Sequence, residues 1–197
     1  MATEIGPGAT DVVAVLTSQH DRARAILAEL HESVAVVAEL TRDMAGPFRE
    51  LVQLLVAHEA AEELVVYPTL RTKLEEGRLA EARVAEEHEA KHLLAKLEKM
   101  APGFFDFPAE LTEFEAKVLA HAEHEEQTVF PLLEQRLSSA ERQQMASDFL
   151  YVAAKAPSHA HAHSPESAVG NAVLGPVLAT IDRVRDSLEL HLAPPTH

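Results

Sequence analysis

An all-α fold, built as an antiparallel four-helix bundle with further helix after it, is what this sequence predicts. Three observations point there. Ala, Leu and Glu abound while aromatics make up 5% and Trp is absent, a composition that favours helix over sheet. Long segments carry apolar residues at helical spacing, separated by short Gly and Pro breaks. Residues 55–70, LVAHEAAEELVVYPTL, and residues 118–133, VLAHAEHEEQTVFPLL, are near copies, as expected when each half of a bundle is one helical hairpin.

Residues 1–9 read as a tail. From about Thr10 to Leu40 the stripe is Leu16, His20, Ala23, Leu27, Leu30 and Val34. Gly46-Pro47 ends that segment, and Pro47 suits the first turn of a second helix. The second stripe is Leu51, Leu55, His58, Glu62 and Val65, and Pro68 is expected to kink or end it. Gly77 marks a loop. A third helix is expected over about Leu79–Met100, with His88 and His92 four apart. Pro102-Gly103 and Pro108 bracket Phe104-Phe105-Asp106-Phe107. A fourth helix, about 109–137, stripes Leu111, Phe114, Val118, His121, Glu125, Val129 and Leu132. Ser138, three residues before Glu141, caps a shorter fifth helix to about Ala154. The bundle thus occupies 1–155. Residues 156–165, APSHAHAHSP, have no period and read as a linker, its His159, His161 and His163 a candidate metal-scavenging tract. Residues 166–197 offer one more helix, with Val173, Val177, Ile181, Val184 and Leu188 spaced to pack on the bundle.

Composition closes off several functions. The chain has 197 residues, is 47% hydrophobic and 25% charged, and contains no Cys, which removes disulfides, thiolate metal sites and iron–sulfur clusters. It fits a reducing cytoplasm. The formal charge of −15 repels phosphate backbones and anionic lipid, so neither nucleic acid nor membrane is an expected partner. The start, MATEIGPGATDVV, lacks a basic region followed by an apolar core, so no signal peptide is expected. No apolar run is long enough to span a bilayer.

What remains is a set of polar residues on faces that the apolar pattern turns inward. The repeat holds His-x-x-x-Glu, five residues, then Pro: His58, Glu62 and Pro68 in one copy, His121, Glu125 and Pro131 in the other. Residues four apart stand about 6 Å apart along one helix face. His20, His88 and His92 join them, giving five imidazoles and two carboxylates in an apolar interior, where unpaired charge is costly. Imidazole and carboxylate without thiolate suit iron, manganese or zinc. Seven donors exceed what one tetrahedral zinc uses, whereas two metals bridged by carboxylates would use all seven. Glu59, Glu63, His124 and Glu126 flank the stripes and read as a solvated face. Tyr67 and Phe130 read as core, with Tyr67 close to the site. No acid–base set or cofactor motif outside the cluster marks a catalytic residue.

The order His20, then His58-x-x-x-Glu62, then His88-x-x-x-His92, then His121-x-x-x-Glu125 resembles the hemerythrins, and most closely their bacterial relatives with the HHE cation-binding domain, over roughly residues 10–137. That resemblance implies a hemerythrin-type four-helix bundle holding two iron ions, with manganese or zinc the lesser candidates. His88, His92 and His121 would hold one iron and His20 and His58 the other. Glu62 and Glu125 would bridge them, with an oxo or hydroxo group as third bridge. It implies that the two-His iron keeps an open position for oxygen, peroxide or nitric oxide. The expected function is storage, delivery or sensing of such a molecule; the alternatives are an enzyme removing peroxide or nitric oxide, and an iron-responsive sensor. One departure is plain. Oxygen-carrying hemerythrins close with His, four residues, then Asp, whereas Glu125 stands one position earlier with a longer side chain.

Overall fold

A computed structural model of the chain describes residues 11–36, 45–100 and 106–156. Among these there is no strand. The expected linker and last helix, with His159, His161, His163 and the stripe Val173 to Leu188, lie outside the described residues, as do Phe104 and Phe105.

Helix α1 spans Val12–Val36 and α2 Ala45–Ala61. Asp11 accepts a hydrogen bond from the Val13 N–H at 2.9 Å, capping the start of α1. Of the two outcomes expected at Pro68, a kink or an end, the helix does not end there. A π-helical turn, Glu62–Val66, carries it without interruption into α3, Tyr67–Thr72. The physical reason lies in Pro68, which has no N–H to give the carbonyl four residues back and whose ring crowds that carbonyl. Widening the turn relieves the crowding, and the Tyr67 N–H bonds five residues back to the Glu62 carbonyl. The second copy of the repeat does the same before Pro131. Helix α5, Phe107–His124, passes through a π-helical turn, Glu125–Val129, into α6, Phe130–Arg136, with the Phe130 N–H on the Glu125 carbonyl. The wider turn shifts the register of α6. Leu133 is therefore buried, while Leu132, on the expected stripe, is only half-buried. Between the two rods runs α4, Gly77–Lys99.

These rods close a ring: α1 packs on α2, α3 on α4, α4 on α5 and α5 on α1. Consecutive rods are antiparallel, because the late residues of α1 (Ile26, Leu27, Leu30) and α4 (Leu94, Leu97) meet the early residues of α2 (Phe48, Leu51) and α5 (Phe107, Leu111, Phe114) in one apolar core. Helix α7, Ser139–Ala153, lies against α1 and α2. It opens with the expected cap: Ser138 accepts from the Glu141 N–H, and the Glu141 carboxylate accepts from the Ser138 N–H. Arg142 then ties α7 to the head of α1 through Asp11 at 2.5 Å. Ser138→Ala is expected to lower stability by about 1 kcal/mol, read as a lower melting temperature with metal content unchanged. No helix of the described residues is long and apolar enough to cross a membrane.

Candidate metal centre

Midway along the bundle the apolar core gives way to a buried cluster of titratable groups. Three rods bring them together at the level of the π-helical turns. Helix α1 supplies His20, α2 supplies His58, and Glu62 and Glu125 each open a π-helical turn. Helix α5 supplies His121 at its end. Glu62 and Glu125 are fully buried, and the three imidazoles nearly so.

The imidazoles are oriented from outside. His20 donates through Nδ1 to Glu126 Oε1 at 2.9 Å, His58 to the Gln19 amide oxygen at 2.7 Å, and His121 to Glu86 Oε2 at 3.3 Å. Each acceptor receives a hydrogen bond from Nδ1–H, which keeps the proton on Nδ1 and leaves a bare Nε2 lone pair. All three Nε2 atoms point into the cluster, are buried, and have no hydrogen-bond partner. Two of the outer acceptors are themselves held by arginine. Arg24 lies 2.8 Å from Glu126, and Arg83 lies 2.9 Å from Glu86. Against its partial burial, Glu126 is held below the usual carboxylate range by His20 and Arg24.

The carboxylates show the complementary pattern. Glu62 Oε1 and Glu125 Oε2 are buried without partners. Tyr67, turned inward after the first π-helical turn, donates its hydroxyl to Glu87; the same oxygen lies 3.0 Å from Glu125 Oε1 and 3.5 Å from Glu62 Oε2. One phenol has one proton, so it cannot satisfy three carboxylates. Burial, followed by the neighbouring carboxylates, raises the pKa of Glu62 well above the ordinary range. Burial raises Glu87 likewise, with Glu59 next. Glu125 is the exception: burial opposes its charge too, but when the facing imidazoles carry protons, His20 first, then His121 and His58, they hold it below the usual range. Burial lowers His58 to about 3 and also lowers His121. Bare imidazole nitrogens facing unpaired carboxylates are the donor set of a cation site. Their ligand atoms fall into two overlapping groups, each within 4.8 Å: His20, His58, Glu62 and Glu125; and Glu62, Glu87 and His121.

Two expected ligands are not there. His88 and His92 are exposed, a correction to the inward placement their spacing suggested. The stripe that would bury them also carries Glu81 and Lys99. The stripe that α4 does bury is Ala80, Arg83, Glu87, Ala90, Leu94 and Leu97. Apolar Leu94 and Leu97 decide the rotation of the helix, and Glu87, 1% exposed, takes the inward position. Counting back from those leucines by four and three reaches Glu87, so the signal was present in the sequence. Glu59 is a second correction. Expected on a solvated face, it is buried, 3.4 Å from Lys91, and burial raises it to about 7 against the pull of that lysine. His124 is exposed, and Glu63 and Glu126 are half-buried as flanking residues. Arg24 of α1 reaches outward to Asp21 and Glu126.

The cluster is walled by rings and small side chains. Phe130 stacks on His20 at 5.4 Å, and Phe149 of α7 meets His58 edge-on at 5.9 Å. On the core side lies a cavity of about 30 Å³, lined by the three imidazoles together with Ala23, Leu55, Ala90 and Val118. That is enough for a water or a diatomic molecule.

Residues 11–133 match the family model described as the hemerythrin HHE cation binding domain. The chain is similar to an uncharacterized hemerythrin-like protein of Schizosaccharomyces pombe, 34% identical over 137 residues that cover 68% of each chain. It is also similar to a DNA nickase of Nostoc sp., 28% identical over 135 residues, which cover 68% of this chain and 37% of that one. No solved structure matches.

Proposed function

Because the chain belongs to the hemerythrin family of HHE cation-binding proteins, we propose that it holds a pair of iron ions in this cluster and binds oxygen or a related small molecule beside them, for storage, delivery or sensing. Three bare Nε2 atoms carry the reading: His20 and His121 converge on the unpartnered Oε2 of Glu125 at 3.4 and 3.6 Å, and His58 lies 3.1 Å from Glu62 Oε2. Iron held there would supply an electron-exchanging centre with room for a small ligand. The chain's own residues do the rest. Glu126, Gln19 and Glu86 keep the imidazoles in the ligating tautomer, as such outer partners do. Ala23, Leu55, Ala90 and Val118 keep the cavity small and apolar, so that a diatomic molecule enters and larger solutes do not. Phe130 and Phe149 brace two of the rings.

A second reading, iron sensing, is favoured by the crowding of Glu62, Glu87 and Glu125. Without a cation these groups oppose folding, so metal occupancy would govern the stability of the bundle. The name of the Nostoc relative concerns a protein most of which lies outside the match, and nicking is not carried over to this chain.

The test is the ultraviolet–visible spectrum of aerobically purified protein, followed through dithionite reduction and oxygen return. A band that vanishes and reappears supports binding of oxygen; consumption of peroxide in steady state places the protein among enzymes; no iron-dependent band contradicts the proposal. Glu126→Ala should leave the fold intact and weaken metal binding by about 10–100-fold, measured by competition with a chelator of known affinity.

A further inference from the structure

Glu87 stands where the sequence predicts imidazoles, and this changes the chemistry of half the site. Its carboxylate is buried among Glu62, Glu125 and His121. One oxygen accepts the Tyr67 hydroxyl; the other, Oε2, has no partner. The Tyr67 phenol fixes the direction of the carboxylate and leaves Oε2 free at the cluster. His88 and His92, one and five residues on, face solvent.

Building on the metal-centre reading above, we propose that the two metal positions are chemically unequal, and that Glu87 completes a carboxylate-rich second position with Glu62 and His121. The first position is drawn from His20, His58, Glu62 and Glu125, two imidazoles and two carboxylates. The second has one imidazole and two carboxylates, with the Tyr67 phenol beside it. Imidazole suits iron, zinc and copper, whereas carboxylate oxygen suits harder ions such as manganese. The second position therefore takes Mn²⁺ more readily than the first, and the pair fills in two steps. Glu62, common to both groups, links the two.

The alternative is that Glu87 is merely a core glutamate held by Tyr67. Glu87→Gln separates the two: it keeps the size and can still accept from Tyr67, but it cannot present a charged oxygen. Parent, Glu87→Gln, Glu87→Ala, His88→Ala and His92→Ala are each freed of metal and checked for helix content by circular dichroism. They are then titrated anaerobically with Fe²⁺ and, separately, with Mn²⁺, following free Mn²⁺ by electron paramagnetic resonance and bound metal by elemental analysis. The expected result is two ions per chain in the parent and in both histidine variants. Glu87→Gln and Glu87→Ala should keep the first ion, with the second weakened at least about tenfold, because a direct ligand counts for no less than an outer partner. Two ions bound at parental affinity in folded Glu87→Gln overturn the assignment. So does loss of an ion in His88→Ala or His92→Ala with Glu87→Gln unaffected. A parent that takes up neither metal overturns the metal-centre reading itself, and this assignment with it.

Discussion

Glu62→Ala is expected to empty the cluster of metal. Glu62 is fully buried, opens the first π-helical turn, and is the residue common to both candidate positions. Its removal takes a donor from each. If losing an outer partner costs about 10–100-fold, losing a direct ligand costs at least that at each position, so the pair should not survive dialysis. The metal-free fold should persist, because one of the mutually repelling carboxylates is gone. Glu62→Gln controls for the cavity that alanine leaves. Elemental analysis of iron-loaded protein, beside a helical circular dichroism spectrum, reads the result; full metal content in Glu62→Gln would contradict the shared role.

Metal removal should change the sign of the pH dependence of stability. In the metal-free protein Glu62 and Glu87 have raised pKa values, so the folded state keeps protons that the unfolded chain releases near 4.5. Their contribution is present at acid pH and is lost as pH rises. Glu59, raised to about 7, behaves the same way between 4.5 and 7. His58, lowered to about 3, and His121, also lowered, act oppositely: the unfolded chain holds their protons up to about 6.5, so their contribution grows with pH to that point and is then constant. Below 6.5 the two sets oppose each other. Above it only the carboxylates titrate, and stability should fall, by at most about 1.4 kcal/mol per pH unit for each titrating group. Bound metal replaces the protons, so its stabilisation grows with pH; at a free concentration one thousand times Kd it amounts to about 4 kcal/mol. Thermal melts at pH 6.5, 7.5 and 8.5, with chelator and with metal, check this. A metal-free protein that becomes more stable across that range would contradict it.

Much of this was legible in the sequence because helix burial follows spacing. The stripes through Leu16, His20 and Ala23, through Leu51, Leu55, His58 and Glu62, and through Phe114, Val118, His121 and Glu125 are all buried. On helix α4 the histidine spacing points to the wrong face. Two histidines four apart look like a ligating face, but the rotation of a helix is set by the apolar area it can bury, and Leu94 and Leu97 carry more of it. The burial of Glu59 leaves no period in the sequence because it depends on Lys91 of another helix. The π-helical turns leave no signal in the spacing: at Pro68 proline reads as a kink or an end, at Pro131 the helix reads as running straight through, and in both places the helix widens to pass the ring. Phe149 lies in a helix that the sequence predicts, but nothing local indicates that α7 lays it against His58.

Metal stoichiometry decides whether this bundle holds a dinuclear centre. Metal-free protein loaded with Fe²⁺ under anaerobic conditions, freed of excess and assayed for iron and for protein should give two irons per chain. One iron per chain, or none, would contradict a dinuclear centre.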